Sequence, residues 1–360
     1  MPKAKHKTSR QRARQENKGG RMDDEFFEAN IVVIGAGGAG SNTINRISTY
    51  KLPKLKLIAI NTDNKHLKLM ADGVQRVLIG REITKGLGAG GDPEIAMKAA
   101  EISKPLIAQA IGDANLVFIV AGMGGGTGTG AAPIIARIAK ESGTVVVAFV
   151  TYPFKLERVR LKKALIWIEK LQKEVDTIII LDNNKLLEYV PGLPINDAFR
   201  VADEIVARAI GGIAATILTP SLVNLDYADV RSIMENGGIG MISVGDGKGI
   251  DKVAAVTEST RKNKLLDIDM TGAKNILVHI TGGTDLTIAD SNDVVAGVTK
   301  GVDNQANVIM GARIDPSFCD KIETIAIYTK LQHKPILAGA EMDKPKEEDI
   351  YYHPPPNLLR

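Results

Sequence analysis

From about residue 30 the chain alternates short apolar runs with longer amphipathic ones. Apolar runs of strand length fall at 31–35, 56–60, 75–79, 115–121, 144–150 and 176–181, and helix-period stretches lie between most of them, including 93–111 and 156–175. Parallel strands need a crossover between them, and a helix is its usual filling, so this alternation predicts a doubly wound, mostly parallel α/β sheet. The stretch "PINDAFRVADEIVARAIGGIAATILTP" (194–220) predicts one long central helix, with Asp197 near its start and Pro220 as its stop. After it, helical stretches at 226–236, 249–262 and 290–303 and strands at 239–244, 274–282, 306–313 and 322–330 predict a smaller second α/β domain. The resulting layout is an arm (1–29), a ligand-binding domain (30–194), the connecting helix (195–220), a second domain (221–332) and an extended, proline-containing tail (333–360).

Composition narrows the class. With 44% hydrophobic and 24% charged residues over 360 positions the chain has room for two soluble cores. Its longest apolar runs, such as "TVVVAFV" (144–150), are strand-sized, well short of the roughly 20 residues of a membrane helix. The start is polar and basic and does not read as a signal peptide. The single cysteine, Cys319, fits a reducing cytosol and is expected, like Trp167, to be a packing residue; no zinc site is legible. Residues 1–21 hold eight Lys or Arg against Glu16, so a formal net charge of +4 for the whole leaves about −3 for the rest. The basicity therefore belongs to the arm, either as a solvated segment or as a contact for nucleic acid, anionic lipid or an acidic partner.

The chemistry sits in glycine loops. "IVVIGAGGAGSN" (31–42) places Gly35, Gly37 and Gly40 between a strand and a helix, as a dinucleotide fingerprint requires, and Asp63 stands near the position of a ribose-binding acid. An NAD(P)-dependent oxidoreductase is thus one alternative. "AGMGGGTGTGAAP" (121–133) repeats the strand–glycines–helix context, and "KGLGAGGD" (85–92) adds a third turn beside them. Glycines let backbone N–H groups close on phosphate oxygens at the positive end of a helix. No lysine follows them as a Walker loop would demand, so phosphates would be held by backbone donors and a metal ion.

The run "GGGTGTG" (124–130) resembles the signature of the tubulin and FtsZ GTPases. "NTD" (61–63), "GLGAGGDPE" (86–94), "TYPF" (151–154), "DNNKLLE" (182–188), "AFRVAD" (198–203) and "NLDYADVR" (224–231) agree with it, as do "ITGGTDLTIAD" and "ANVIMGARIDP" further on. The resemblance spans roughly 30 to 330 and is closer to FtsZ than to tubulin. It implies a GTP-binding first domain, with GTP or GDP as the bound nucleotide and Mg²⁺ held through the phosphates. It puts Gly38, Ala39, Asn42 and Arg46 along the nucleotide and Asn61 near the phosphates. Ala89, Gly90 and Gly91 would face the γ-phosphate, and Gly125, Gly126, Thr127 and Gly128 would cradle the α- and β-phosphates. Glu157 would take the ribose, and Asn183, Phe199 and Asp203 the guanine. An ionised carboxylate accepts from guanine N1–H and its exocyclic amine, a pair that adenine does not offer. Taken without the resemblance, Phe199 reads as a core residue and Asp203 as a surface charge.

Asp226 and Asp229 are three residues apart, so on a helix they share a face and could hold one water. As a helix start alone, Asp226 reads as a cap. The resemblance instead makes Asn224, Asp226 and Asp229 the loop that completes a neighbouring subunit's active site, which implies a head-to-tail homopolymer, a cytoskeletal ring for cell division, and a cytoplasmic protein at the division site. A tubulin-like scaffold outside division is the alternative. Tethering or division partners would bind through the tails, though the acidic-hydrophobic-basic C-terminal peptide of many FtsZ proteins is lacking. Departures from the family pattern are Ser221 and Arg160, the latter three rather than four residues after Glu157, which leaves an arginine contact to nucleotide there open.

Overall fold

A computed structural model describes residues 29–331, apart from 53, 190, 191, 220, 264 and 266–269. The expected arm up to residue 28 and the C-terminal tail lie outside the described residues. The strands are β1 (Ile31–Ala36), β2 (Leu55–Asn61), β3 (Gln75–Leu78), β4 (Leu116–Gly122), β5 (Val145–Tyr152), β6 (Thr177–Asp182), β7 (Gly238–Lys248), β8 (Asn275–Gly282), β9 (Asn307–Ile314) and β10 (Lys321–Thr329). The helices are α1 (Gly37–Ile47), α2 (Asn64–Lys68), α3 (Arg81–Thr84), α4 (Pro93–Ile102), α5 (Lys104–Ile111), α6 (Thr127–Glu141), α7 (Arg158–Gln172), α8 (Asn183–Tyr189), α9 (Ile195–Leu218), α10 (Tyr227–Met234), α11 (Lys252–Lys262) and α12 (Ile288–Val298).

Each expected apolar run is a strand; β1, β5 and β6 are buried on both faces, whereas β3 at the sheet edge is half exposed. The first six strands pair only in parallel, in the order β3-β2-β1-β4-β5-β6. Two apolar clusters sandwich this sheet. One contains Ile34, Ile119 and Ile135; the other contains Ile44, Phe118, Phe149 and the inward face of α9. The second half does not start a separate sheet. The first residues of β7 pair in parallel with β6 (Thr177 with Gly238), and the remainder pairs antiparallel with β10, giving a continuous sheet that ends β7-β10-β8-β9.

Two expectations change in detail. The single helix over 93–111 is two helices, α4 and α5, meeting at Ser103, because Pro105 in the first turn of α5 has no N–H to continue the ladder. Cys319 is exposed rather than packed, whereas Trp167 is buried beneath the Lys170 ammonium.

Candidate nucleotide site

Parallel strands all present their C-terminal ends on one edge of the sheet, and the loops after β1, β2, β3, β4, β5 and β6 gather there around a cavity of about 670 Å³. The two main glycine loops touch at its floor. A Cβ on Gly37, whose φ is +71°, would lie 2.5 Å from the Gly128 nitrogen, and one on Gly128 would lie 2.8 Å from the Ala36 carbonyl oxygen. Side chains there would push the loops apart. Gly40 has a different duty: a Cβ would stand 2.2 Å from the Val120 oxygen, so α1 packs directly against β4. The Thr62 and Thr127 hydroxyls are 2.6 Å apart and tie the loop after β2 to the start of α6.

The two helices that begin at this floor have no side-chain cap: Ala36 precedes α1 and Gly126 precedes α6. By contrast Asp63 caps α2 and Asp92 caps α4. The first-turn N–H groups of α1 and α6 are thus left for a ligand, and both helix dipoles are positive where they meet, which is the physics of an anion site.

Of the residues expected at the nucleotide, Gly38, Ala39, Asn42, Asn61, Ala89, Gly90, Gly91, Gly125, Gly126, Thr127, Gly128, Glu157, Asn183, Phe199 and Asp203 all line this one cavity. Arg46 is not among the lining residues, although it is close enough to Asp203 of the cavity wall to act on its charge. It lies on the last turn of α1, and its guanidinium pairs with Glu204 of α9 at 3.3 Å. Position 46 is nine residues, more than two helical turns, beyond the helix start at Gly37, so the chain carries it away from the floor.

In the cavity wall formed by α9 and α1, Asp203 accepts from the Thr43 hydroxyl at 3.0 Å. Burial pushes its carboxyl up to about 6, against the pull of that hydrogen bond and of Arg46. Asn183 is buried, and its Oδ1 has no partner among the described residues. Phe199 is no core residue: it is 38% exposed and meets the buried Phe154 edge-on, ring centres 5.2 Å apart. Below them Asp182 is also raised, by burial, although Asn184 opposes it with two hydrogen bonds. Glu157 accepts from the Phe154 N–H and is held at 2.6 Å by Arg160, which itself lines the cavity. Sequence reasoning left Arg160 open and did not single out His66, Asn196 or Arg200, which also line it. The last two lie on α9 close to Phe199 and could have been found from helical spacing alone.

Asn224, Asp226 and Asp229 are elsewhere. They lie at the start of α10, where the Tyr227 hydroxyl donates to the carbonyl of Asn115, the residue before β4. That is the N-terminal edge of the sheet, whereas the glycine loop after β4 is on the C-terminal edge. Seven strand residues at about 3.3 Å each separate the two edges by roughly 20 Å. The carboxylates form a reciprocal capping box: the Asp229 N–H donates to Asp226 at 2.7 Å, and the Asp226 N–H donates to Asp229 at 3.1 Å. Asn224 accepts from the Ser221 N–H at 2.7 Å. A second cavity of about 800 Å³ includes Asn224 and Asp226 in its lining.

An open parallel sheet with two uncapped helix starts over one glycine floor defines a phosphate-binding α/β protein. Comparison with known proteins gives the class its family. Residues 30–191 match the Tubulin/FtsZ family, GTPase domain, and residues 238–332 match the FtsZ family, C-terminal domain. The cell division protein FtsZ 2 of Methanocaldococcus jannaschii is 52% identical over 329 residues, covering 90% of this chain and 86% of that protein. A solved FtsZ dimer from M. jannaschii matches with a TM-score of 0.82 at 40% identity, covering 86% of this chain and 90% of that one. A CetZ2 protofilament structure from Haloferax volcanii shares the fold at 20% identity, with a TM-score of 0.71 over 86% of this chain and 96% of that one. The chain belongs to the FtsZ branch of the tubulin/FtsZ family and is a nucleotide-binding GTPase. This displaces the oxidoreductase reading of Gly35, Gly37 and Gly40.

Proposed function

We propose that this GTPase polymerises head to tail and hydrolyses GTP only where two subunits meet, serving a cytoskeletal ring in cell division. One observation carries the reading: the glycine cavity and the Asp226–Asp229 pair lie on opposite edges of one sheet, roughly 20 Å apart, too far to act within one subunit. Stacking the α10 end of one copy onto the cavity end of the next closes that gap. Such a contact is heterologous and does not close on itself, so it yields a filament.

Within the cavity the backbone donors at Gly38, Ala39 and Gly125 to Gly128 hold the inner phosphates, and Ala89, Gly90 and Gly91 face the terminal one. Asn42 and Asn61 contribute side-chain polar groups near the phosphates, and Glu157 the ribose contact. Asn183 and Asp203 read the guanine edge while Phe199 covers its face. Asp229 and Asp226, each with one carboxylate oxygen engaged in the capping box, use the other to orient water toward a neighbour's terminal phosphate, with Asn224 alongside. The capping box makes this pair rigid, which is what positioning a water needs. Mg²⁺ would be held through the phosphates, where it would neutralise developing charge. No helix among the described residues is long and apolar enough to cross a membrane. Localisation at a cytoplasmic division site, with tethering or division partners bound through the tails, belongs to the same reading.

The test is the GTP hydrolysis rate with Mg²⁺ across a series of protein concentrations. A faster-than-linear rise in rate per volume is expected. A straight line through the origin would sink the shared-site mechanism.

A further inference from the structure

The strand order lays the cavity out as a line. Asn183, which would read the guanine, directly follows β6, the two glycine floors follow β4 and β1, and the loops after β2 and β3 close the far end. With strands about 4.8 Å apart, a nucleotide whose base lies at β6 extends its last phosphate toward the loops after β2 and β3. His66 stands there. It is the third residue of α2, immediately after β2, and lines the cavity. Its Cε1 would be 3.5 Å and its Nδ1 3.9 Å from a Cβ on Gly38, at the start of α1.

Its setting is built rather than incidental. Asp63 accepts from the Lys65 N–H at 2.8 Å and from the His66 N–H at 3.3 Å, fixing the turn that carries the ring. That turn is stitched to the loop over 86–92 by the Asn64 N–H donating to the Gly86 carbonyl at 3.0 Å and by the Asp63–Leu87 bridge. The arginine side chains lining the cavity are already engaged, Arg160 with Glu157 at 2.6 Å and Arg200 with Asp197 at 3.5 Å. The ring nitrogens of His66 have no hydrogen-bond partner among the described residues. A triphosphate entering a cavity without a phosphate-binding lysine thus meets an uncommitted ring N–H donor at its far end, beside the Asn42 and Asn61 amides.

We propose that His66 donates to the terminal phosphate of the bound nucleotide and is the side chain that separates a triphosphate from a diphosphate. The inference rests on the guanine-nucleotide reading above. The experiment measures dissociation constants of the full chain, without polymerising conditions, for a non-hydrolysable GTP analogue and for GDP, in wild type, His66→Ala and His66→Gln. Loss of one hydrogen bond to a charged phosphate weakens binding about ten-fold or more. His66→Ala is expected to lose that much for the triphosphate analogue and less than two-fold for GDP. His66→Gln, which keeps an N–H donor, recovers most of the loss. Both variants should melt with wild type, since the ring supports no hydrogen bond of the fold. Equal losses for the two nucleotides, or no loss for either, overturns the assignment of His66 alone. A wild-type chain that binds neither nucleotide overturns the guanine reading as well.

Discussion

Protonation of Asp203 offers a quantitative test of base recognition. The carboxyl is raised from 3.8 to about 6 by burial in the cavity wall. Guanine needs it ionised, because both of its oxygens then accept, from N1–H and from the exocyclic amine; protonation turns one acceptor into a donor facing a donor. The sign follows. A folded-state pKa above the unfolded one means the free protein gains stability from this group as pH falls through 6 toward 3.8, about 3 kcal/mol in all. If Asp203 reads guanine, nucleotide affinity falls as pH drops through about 6. With a pKa of about 6 the ionised fraction is roughly tenfold smaller at pH 5 than at pH 7, so the GDP dissociation constant should rise about tenfold, or about 1.4 kcal/mol. Titration calorimetry of GDP and ADP between pH 5 and 8 reads this directly, and Asp203→Asn controls for ionisation of the nucleotide's own phosphate. The variant should bind GDP at least tenfold more weakly at pH 7, leave ADP nearly unchanged, and lose the extra pH slope. A wild type and variant with the same slope, or equal losses for GDP and ADP, would refute base recognition by Asp203.

Asp229→Ala should keep GTP binding and abolish turnover, and because it also breaks the capping box it should cost about 1 kcal/mol in a melting experiment; near-normal turnover removes it from catalysis. Arg46→Ala should leave GTP affinity within about two-fold, since that side chain pairs with Glu204 outside the cavity; a tenfold loss in the same calorimetric assay would restore it to the nucleotide. Gly126→Ala places a Cβ 3.1 Å from Ala89 and from the Gly91 and Asp92 nitrogens, so it should weaken GTP several-fold by wedging the floor away from the 86–92 loop, while circular dichroism stays native.

The local grammar of the chain determined its elements. Runs such as "TVVVAFV" can be satisfied only by a buried strand, and the glycines after them only by turns that bring backbone against backbone, so β1, β4, β5 and the two phosphate loops were legible in the order of residues alone. That the glycine loops share one edge was nearly as legible, because a parallel sheet sends every such loop there, whereas Glu157, Asn183, Phe199 and Asp203 came only from the family resemblance. Tertiary structure decided what depends on direction and distance. Packing of α9 against α1 paired Arg46 with Glu204, and a backbone seam between the loops after β2 and β3 brought His66 to the cavity; neither contact is written in spacing alone. The pairing of β7 with both β6 and β10 runs one sheet through both expected domains. Above all, the sequence placed Asp226 and Asp229 on one helix face but could not say which end of the sheet that helix would occupy. Only packing of α10 against the start of β4 set the acids at the edge opposite the glycine loops. A capping motif is local and can be read from a few residues, whereas the choice between two ends of a sheet is made by long-range burial.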